Sequence, residues 1–476
     1  MPLPTIPSGN VFSSLPTGYD VANSCRFNKA DAPELSRSTG DGNERIGNFS
    51  FWWKPAAVDS GCIFYSVYVD SNNFFDINCD GDMNLQVRNK ASGSYNMSFE
   101  SSRVLRDPSA WYHICVLIDT TQSTEANRVK IYINGTQETS WQTSTYPSQN
   151  DDLIMNSNSR TARISSSQDR LHGYLAEFVL IDGTVKAVTD FGEFDDDSPT
   201  IWKPKDVADL SGDKGVNGFY LDFESSGTLG NCAFGGTDFT SSNLAAADQA
   251  VDSPTNNFSV LNPLMNKTAA YTFSEGNCKV VTTSSGTTGH YACSTIAPSK
   301  GKWYFEMKVA SSSGYDDIGL VQDSADNFYS IVSTNNGIGY NSAQEVYRGS
   351  DGTGDAGGTF NTFTTNDIIG CYVDLDNHEF YVAKNGTIEN SGTGITITTT
   401  STTDHGVWFL AVGDQVNSAA ATLEVNFGGC SAFTVSSANS DANGYGNFEY
   451  DPSSGTFDGA SKNFLALCTK NLAEDG

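Results

Sequence analysis

A chain of 476 residues exceeds what one hydrophobic core organises, so two or three domains are expected. A hydrophobic share of 38 %, aromatics at 12 % and an abundance of Gly, Ser, Thr, Asn and Asp suit short strands joined by many turns, and no long segment shows a helical apolar stripe. The 56 acidic residues outnumber 27 basic ones for a formal charge of −29; with no Lys/Arg stripe to release counterions, nucleic acid and anionic membranes are not expected as partners.

Residues 1–20 contain Pro2, Pro4, Pro7 and Pro16 and little periodicity, which reads as an extended arm that docks onto a partner. They lack the basic start and apolar core of a signal peptide. No run approaches the ~20 apolar residues of a membrane helix, so neither export by that route nor membrane insertion is expected. Residues 21–200 carry strand-like runs at short intervals: NFSFWWKPA, GCIFYSVYVD, FFDIN, MNLQVRN, WYHICVLID, RVKIYING and GYLAEFVLIDG. That spacing predicts an antiparallel sandwich. WYHICVLID is nearly all apolar and reads as a central strand buried on both faces, while RVKIYING alternates and has one wet face.

Residues 201–264 alternate short apolar anchors with Pro, Gly and Asn, and read as a connector packed between two domains. A second strand-rich block, 265–430, holds KGKWYFEMKVA, DIGLVQD, GIGYNS, NDIIGCYVDLDNHEFYVAKNG, VWFLAVG and ATLEVNFG. The tail, 431–476, is rich in Gly, Ser and Asn and ends on NFLALCTKNLAEDG, a short apolar segment suited to covering an edge or touching a neighbour. The expected fold class is all-β: two antiparallel sandwiches of jelly-roll type joined by a packed irregular connector.

The ten cysteines do not suggest a disulfide scaffold. Cys62, Cys115 and Cys371 sit in apolar runs, where a thiol acts as a small hydrophobe. Cys278 and Cys293 flank KVVTTSSGTTGHYA almost symmetrically, so a hairpin would set them opposite each other; reduced thiols are the default without an export signal. No CxxC pair points to structural zinc.

DINCDGD places Asp76, Asn78 and Asp80 at alternate positions before Gly81, matching the first half of an EF-hand loop. The twelfth position is Val87, which cannot give the bidentate carboxylate, and the flanks read as strands. A tight Asp-Gly turn explains the stretch more simply. Calcium at these three residues is therefore the weaker reading, and no other cofactor is expected. GEFDDDSP puts Glu193, Asp195 and Asp197 at alternate positions, a spacing that could serve glycoside cleavage on one face of a strand. Sandwich glycosidases use Glu-x-Asp-x-Glu; here the third acid is Asp, Asp196 would face inward, and a solvated acidic loop is the better reading.

The five histidines (His113, His172, His290, His378 and His405) form no metal or nucleophile motif, and no catalytic residue is assigned. The Gly-rich stretch 347–360 reads as a long exposed loop whose Tyr347 and Arg348 are candidates to stack on, or hydrogen-bond to, a sugar or peptide. Asn-Gly-Thr occurs at 134–136 and 385–387, each time after a buried strand and an aromatic-bearing strand. These tripeptides, like those at Asn48, Asn96, Asn257 and Asn266, match the N-glycosylation acceptor, but Asn-Gly at a tight hairpin turn is the reading favoured without export.

KGKWYFEMKV, DIGLVQ, GIGYN, LEVNFG and above all NDIIGCYVDLDNHEFYVAKNGT make the second block resemble a SPRY domain over most of 295–430, which implies a binding sandwich. NFSFWWKP, RDPSAWYHICVLIDTTQSTEANRVKIYINGTQ and GYLAEFVLIDGT make the first block resemble a laminin-G-like, concanavalin-A-type lectin domain. That fold is shared by lectins, adhesion modules and some glucanases. In this order, with WKPKD…GVNGFYLDF and DSPTNNF…LNPL between them, the two resemble virion proteins of marine tailed bacteriophages, of the tail-fibre or appendage type. The resemblance implies assembly in a bacterial host's cytoplasm and a place on the virion surface. It implies other virion proteins as partners, host-surface glycan as a further one, and a homo-oligomer, a trimer by preference. A structural and adhesive role without catalysis is expected, with a purely structural decoration or scaffold role and a glycan depolymerase using Glu193 and Asp195 as the alternatives.

Overall fold

A computed structural model describes residues 18–265, 271–282, 290–322, 331, 337–343, 345–348, 357–397, 406–414 and 419–476. Most of the expected docking arm, up to residue 17, lies outside the described residues. The chain divides into two compact units, one spanning Pro16–Thr255 and one built on Asn256–Gly476. Each consists of packed, almost wholly antiparallel sheets; among the described residues the helices are 3-10 turns and one short α-helix, Thr469–Asp475.

The first unit has two eight-stranded sheets. In one, the strands run in the order Thr136–Gln137, Val129–Ile133, Tyr112–Asp119, Ile46–Pro55, Gly173–Asp182, Ser24–Phe27 and Gln249–Ala250, with Phe219–Leu221 also paired to Gly173–Asp182. The other runs Trp141–Thr145, Ser94–Val104, Asn84–Ala91, Asn73–Cys79, Cys62–Asp70, Thr161–Ile164, Glu34–Ser38 and Thr240–Ser242. Period-two alternation sends one face of each sheet into a shared aromatic core. Phe49 lies 4.9 Å from Tyr65, Phe51 4.9 Å from Phe64 and 4.6 Å from Phe178, ring centre to ring centre. Tyr112–Asp119 has a partner on each side, and Val129–Ile133 alternates buried and half-buried residues, as the two sequence patterns imply.

The stretch 201–264 is not a connector between the units. Its apolar anchors are very short strands of the first unit: Trp202–Pro204 pairs with Gly192–Phe194, and Phe219–Leu221, Thr240–Ser242 and Gln249–Ala250 extend the two sheets. Residues from Asn256 onward belong to the second unit, where Phe258 forms a bridge with Cys468. Trp202 anchors its segment by donating from Nε1 to Nδ1 of the fully buried His113 at 3.0 Å. Nδ1 is thus the unprotonated nitrogen, and Nε2–H donates to Ser50 Oγ at 2.8 Å. Burial pushes the His113 pKa down to about 3, so this histidine is a neutral core residue.

The second unit packs a nine-stranded sheet on a five-stranded one. The larger runs Tyr271–Ser274, Lys279–Thr282, Thr422–Asn426, Lys302–Ser311, Ile368–Asp374, Glu379–Lys384 and Thr387–Ile388, with Ile395–Thr396 and Leu465–Ala466 attached beside it. The smaller runs His290–Cys293, Trp408–Asp414, Asp316–Gln322, Gly337–Asn341 and Glu345–Arg348. Cys278 and Cys293 are not set opposite each other. Lys279–Thr282 pairs within the larger sheet and His290–Cys293 within the smaller, so the expected hairpin does not form, and all ten cysteines are buried thiols.

The tail forms a third layer on the second unit. Leu465–Ala466 pairs in parallel with Lys302–Ser311, and Phe448, Phe457 and Phe464 pack on the outward tyrosines of the larger sheet. Phe448 lies 5.0 Å from Tyr304, while Phe457 and Phe464 lie 5.0 and 5.1 Å from Tyr372. This buries a sheet face that would otherwise be an exposed aromatic patch.

The two Asn-Gly turns are the same device. Asn134 and Gly135 have φ of 49° and 72°, and Asn385 and Gly386 have 48° and 78°, the pair of positive values a tight hairpin turn requires. Each asparagine clasps the start of the preceding strand. The His113 and Ile368 N–H groups donate to the Oδ1 atoms of Asn134 and Asn385, at 2.8 and 2.9 Å. A methyl group at Gly135 would overlap the Trp202 ring, and one at Gly386 the Tyr450 ring.

Glu177 interrupts the pairing of Gly173–Asp182 with Ile46–Pro55, at φ of 52° and 5 % exposure. Its carboxylate accepts from Tyr220 Oη at 2.8 Å, and burial pushes its pKa from 4.5 up to about 8. A raised carboxyl pKa favours the protonated form in the folded state. That contribution is complete below pH ~4.5 and is lost as pH rises through about 8. Urea unfolding of the first unit should therefore show stability declining across this window by a few kcal/mol, at ~1.4 kcal/mol per pKa unit. In Glu177→Gln the decline should be absent; an unchanged pH profile would refute the assignment.

Candidate functional site

The outer face of the second sheet of the first unit is built by three neighbouring strands, Cys62–Asp70, Asn73–Cys79 and Asn84–Ala91. A register shift between Ile63 and Tyr65 leaves Phe64, Tyr65 and Val67 in the core and returns Ser66 and Tyr68 to the outer face. Phe75, Ile77, Leu85 and Val87 point inward, which turns Phe74, Asp76, Asn78, Gln86 and Arg88 outward. Cross-strand register sets Tyr68 beside Phe74, Ser66 beside Asp76, Asp76 beside Arg88, and Asn78 beside Gln86. Together with Asp80, Gln168 and Asp169 they line a groove of about 320 Å³.

At the groove's floor Arg88 grips Asp76 with both ends of its fork, Nε to Oδ1 at 2.9 Å and Nη2 to Oδ2 at 2.7 Å. Asn78 Nδ2 adds a third bond to Asp76 Oδ1 at 2.9 Å. Burial pushes the Asp76 pKa up and these bonds pull it back. Asp80 Oδ1 accepts from the N–H groups of Asp82 and Asn84, both at 3.0 Å, and so closes the Asp-Gly turn. Tyr68 and Phe74, stacked with ring centres 6.0 Å apart, form an aromatic wall at the other end. Ser66 is 2 % exposed, and its Oγ has no hydrogen-bond partner among the described residues.

The structure thus brings the calcium candidates Asp76 and Asn78 to one groove but commits Asp76 to a guanidinium, while Asp80 holds a turn. Among the described residues no group of three or more His, Cys, Asp or Glu is arranged to hold a metal ion. Sequence reasoning missed Ser66, Tyr68, Phe74, Gln86, Arg88, Gln168 and Asp169. Alternation along FFDIN and NLQVRNK, followed across the turn, was the signal for the middle of this set.

Glu193 and Asp195 flank Lys203 at 3.5 and 3.3 Å, on the small hairpin made by Gly192–Phe194 and Trp202–Pro204. Asp195 Oδ1 accepts from the N–H groups of Ser198 and Asp197, at 2.9 and 3.0 Å, and the Ser198 bond leads in holding its pKa below the ordinary range. A general acid for glycoside cleavage needs the opposite shift. Tyr347 is half-buried on the Glu345–Arg348 strand at a sheet edge, paired with Gly339. The expected loop 347–360 therefore opens with the end of a strand. The Arg348 side chain and residues 349–356 lie outside the described residues.

Two families are recognisable in the chain. Residues 42–187 match Laminin_G_3, the concanavalin A-like lectin/glucanases superfamily, and residues 302–429 match the SPRY domain. The first unit therefore carries a concanavalin-A-like domain and the second a SPRY domain. These are binding folds of kinds not typically catalytic, and they suggest carbohydrate or protein binding. Comparison with curated proteins finds no match.

Among solved structures, the chain is similar to the SPRY domain of human HERC1, at 15 % identity over 37 % of this chain and 99 % of that one, TM-score 0.29. It is also similar to the heptameric SAP-like pentraxin of Limulus polyphemus, at 16 % identity over 34 % and 77 % of the two chains, TM-score 0.27. A third is domain 4 of AbnA, a GH43 extracellular arabinanase from Geobacillus stearothermophilus in complex with arabinotriose, at 14 % identity over 32 % and 67 %, TM-score 0.24.

Proposed function

We propose that this is a structural and adhesive protein of a phage virion whose first unit holds host-surface glycan in the outer-face groove. The observation that carries the binding role is the groove itself: an aromatic wall of Tyr68 and Phe74 beside a polar floor, with the buried Ser66 Oγ, unpartnered among the described residues, in its lining. An aromatic ring stacks on the apolar face of a pyranose while amides and carboxylates engage its hydroxyls. The virion setting rests on the sequence resemblance. It implies neighbouring virion proteins as partners, a surface position, trimeric assembly and particle docking through residues 1–20.

The test is adsorption and glycan-array binding by the full chain. Tyr68→Ala should weaken glycan binding about tenfold while leaving the thermal transitions in place, as loss of one stacking contact implies. No bound glycan, together with unchanged adsorption of a phage deleted for this chain, would favour a purely structural role and reject the adhesive one. Retention of the chain on particles after removal of residues 1–20 would reject the docking role.

A further inference from the structure

Building on the glycan reading, we infer that the groove selects an uncharged, hydroxyl-rich oligosaccharide and disfavours uronate-bearing or sialylated chains.

Cations around the groove are held by neighbouring oxygens, among them Arg163, which lies beside Ser66 in register and pairs with Glu34 at 3.5 Å. Arg88 gives two of its five N–H groups to Asp76. Lys29 Nζ bonds Asp169 at 2.6 Å, Ser60 Oγ at 2.8 Å and Gly61 O at 3.2 Å. Lys90, beyond the aromatic end, lies over the Phe74 and Tyr95 rings and donates to Ser71 O. Against these, Asp76, Asp80 and Asp169 all line the groove, with Arg88 the one cation among its lining. A ligand carboxylate would enter a groove in which three carboxylates outnumber the one lining guanidinium, two of whose N–H groups are already given to Asp76.

The lining is also acceptor-rich. Gln86 Nε2 donates to Glu100 at 3.1 Å and to Asp80 at 3.4 Å, and Asn78 Nδ2 donates to Asp76. Gln86, with both N–H groups engaged, presents only its carbonyl oxygen to a ligand, and Asn78 its carbonyl oxygen and one N–H. Carbonyl and carboxylate oxygens call for donors, which sugar hydroxyls are and carboxylates are not. An uncharged donor-rich ligand avoids the repulsion and suits the hydrogen bonds, and Tyr68 with Phe74 suits its apolar face. The buried Ser66 Oγ, unpartnered among the described residues, is independent of that charge balance and points to the same place.

The experiment is calorimetric titration of the full chain with neutral oligosaccharides (chito-, cello-, manno- and galacto-series), acidic ones (oligogalacturonate, alginate fragments, sialyllactose) and an oligolysine peptide. At least one neutral series should bind, with an affinity that stays within about twofold from ~50 to ~500 mM salt, where charge-driven binding is screened. Tyr68→Ala and Gln86→Ala should each weaken that binding about tenfold without moving the thermal transitions. Tighter binding of an acidic saccharide or of oligolysine, still lost in Tyr68→Ala, would keep the groove as a site and overturn the neutral selectivity. Binding to no saccharide, or binding indifferent to both substitutions, would overturn the glycan reading of the groove and this inference with it.

Discussion

Asp252→Ala is expected to destabilise the first unit by about 3–5 kcal/mol, the cost of leaving a buried charge without its partner. Lys54 Nζ and Asp252 Oδ2 are 2.7 Å apart, and both side chains are 0 % exposed. The Asp252 carboxylate also accepts from Trp111 Nε1 at 3.2 Å, and its backbone carbonyl from Ser24 Oγ at 2.6 Å. Truncation would take the countercharge from a buried ammonium and leave the indole N–H without this acceptor. Lys54→Met should be comparably harmful, because it removes the countercharge of the buried carboxylate. The double variant Lys54→Met/Asp252→Leu should recover most of the loss, since apolar replacement of a whole buried pair is often neutral. Urea unfolding followed by tryptophan fluorescence should show one transition moving and the other fixed, as expected when two units unfold separately. A loss below ~1 kcal/mol for Asp252→Ala would mean that Lys54 finds another acceptor or water. A double variant no better than the singles would mean that the pair is not what the site depends on.

That ion pair also explains why the segment containing Asp252 was misread from sequence. Its strands are two or three residues long, too short to show an inward-outward period, and what fixes Asp252 to the sheet is a lysine roughly 200 residues earlier. The long strands were legible because five or more alternating or fully apolar residues leave a signal of their own. The tail's aromatic layer was illegible for a related reason. Phe448, Phe457 and Phe464 are single aromatics among Gly, Ser and Asn, and only the tyrosine face they cover gives them a common purpose. The groove was half legible. The alternation that puts Asp76 and Asn78 on one face was visible and was matched to a linear metal loop. Arg88, which engages that carboxylate, lies on the next strand, and pairing across strands is not written in any local spacing. The Asn-Gly turns were fully legible because positive φ at two successive residues is a local demand met by few residue types.

Glu306→Ala is expected to cost the second unit roughly 3–6 kcal/mol and to loosen the tail from its sheet. Glu306 lies within the Lys302–Ser311 strand at 0 % exposure, on the face that the tail covers. Its Oε1 accepts from Tyr450 N–H at 2.8 Å and Tyr304 Oη at 2.9 Å, and its Oε2 from Asn426 Nδ2 and Glu449 N–H, both at 3.1 Å. Two of these donors are backbone groups of the tail, so one carboxylate stitches the third layer to the sheet. Truncation would remove the common acceptor of all of them and open a cavity, and each buried donor left unsatisfied costs about 1–3 kcal/mol. Glu306→Gln keeps the shape but turns an NH2 toward donors, so an intermediate loss is expected.

Burial pushes the Glu306 pKa from 4.5 up to about 7. The protonation-linked part of its contribution is therefore complete below pH ~4.5 and is lost as pH rises through about 7, while its role as acceptor persists; Glu306→Gln should abolish that decline in the second unit's transition. Limited proteolysis separates this from a merely local effect. Cleavage within 431–461 should rise in Glu306→Ala before the strands of the sheet become sensitive, because the tail is held by layer contacts and this acceptor, while the sheet has its own ladder. Uniform sensitivity along the unit would instead mean that Glu306 supports the sheet as a whole and that the tail is not separately dependent on it.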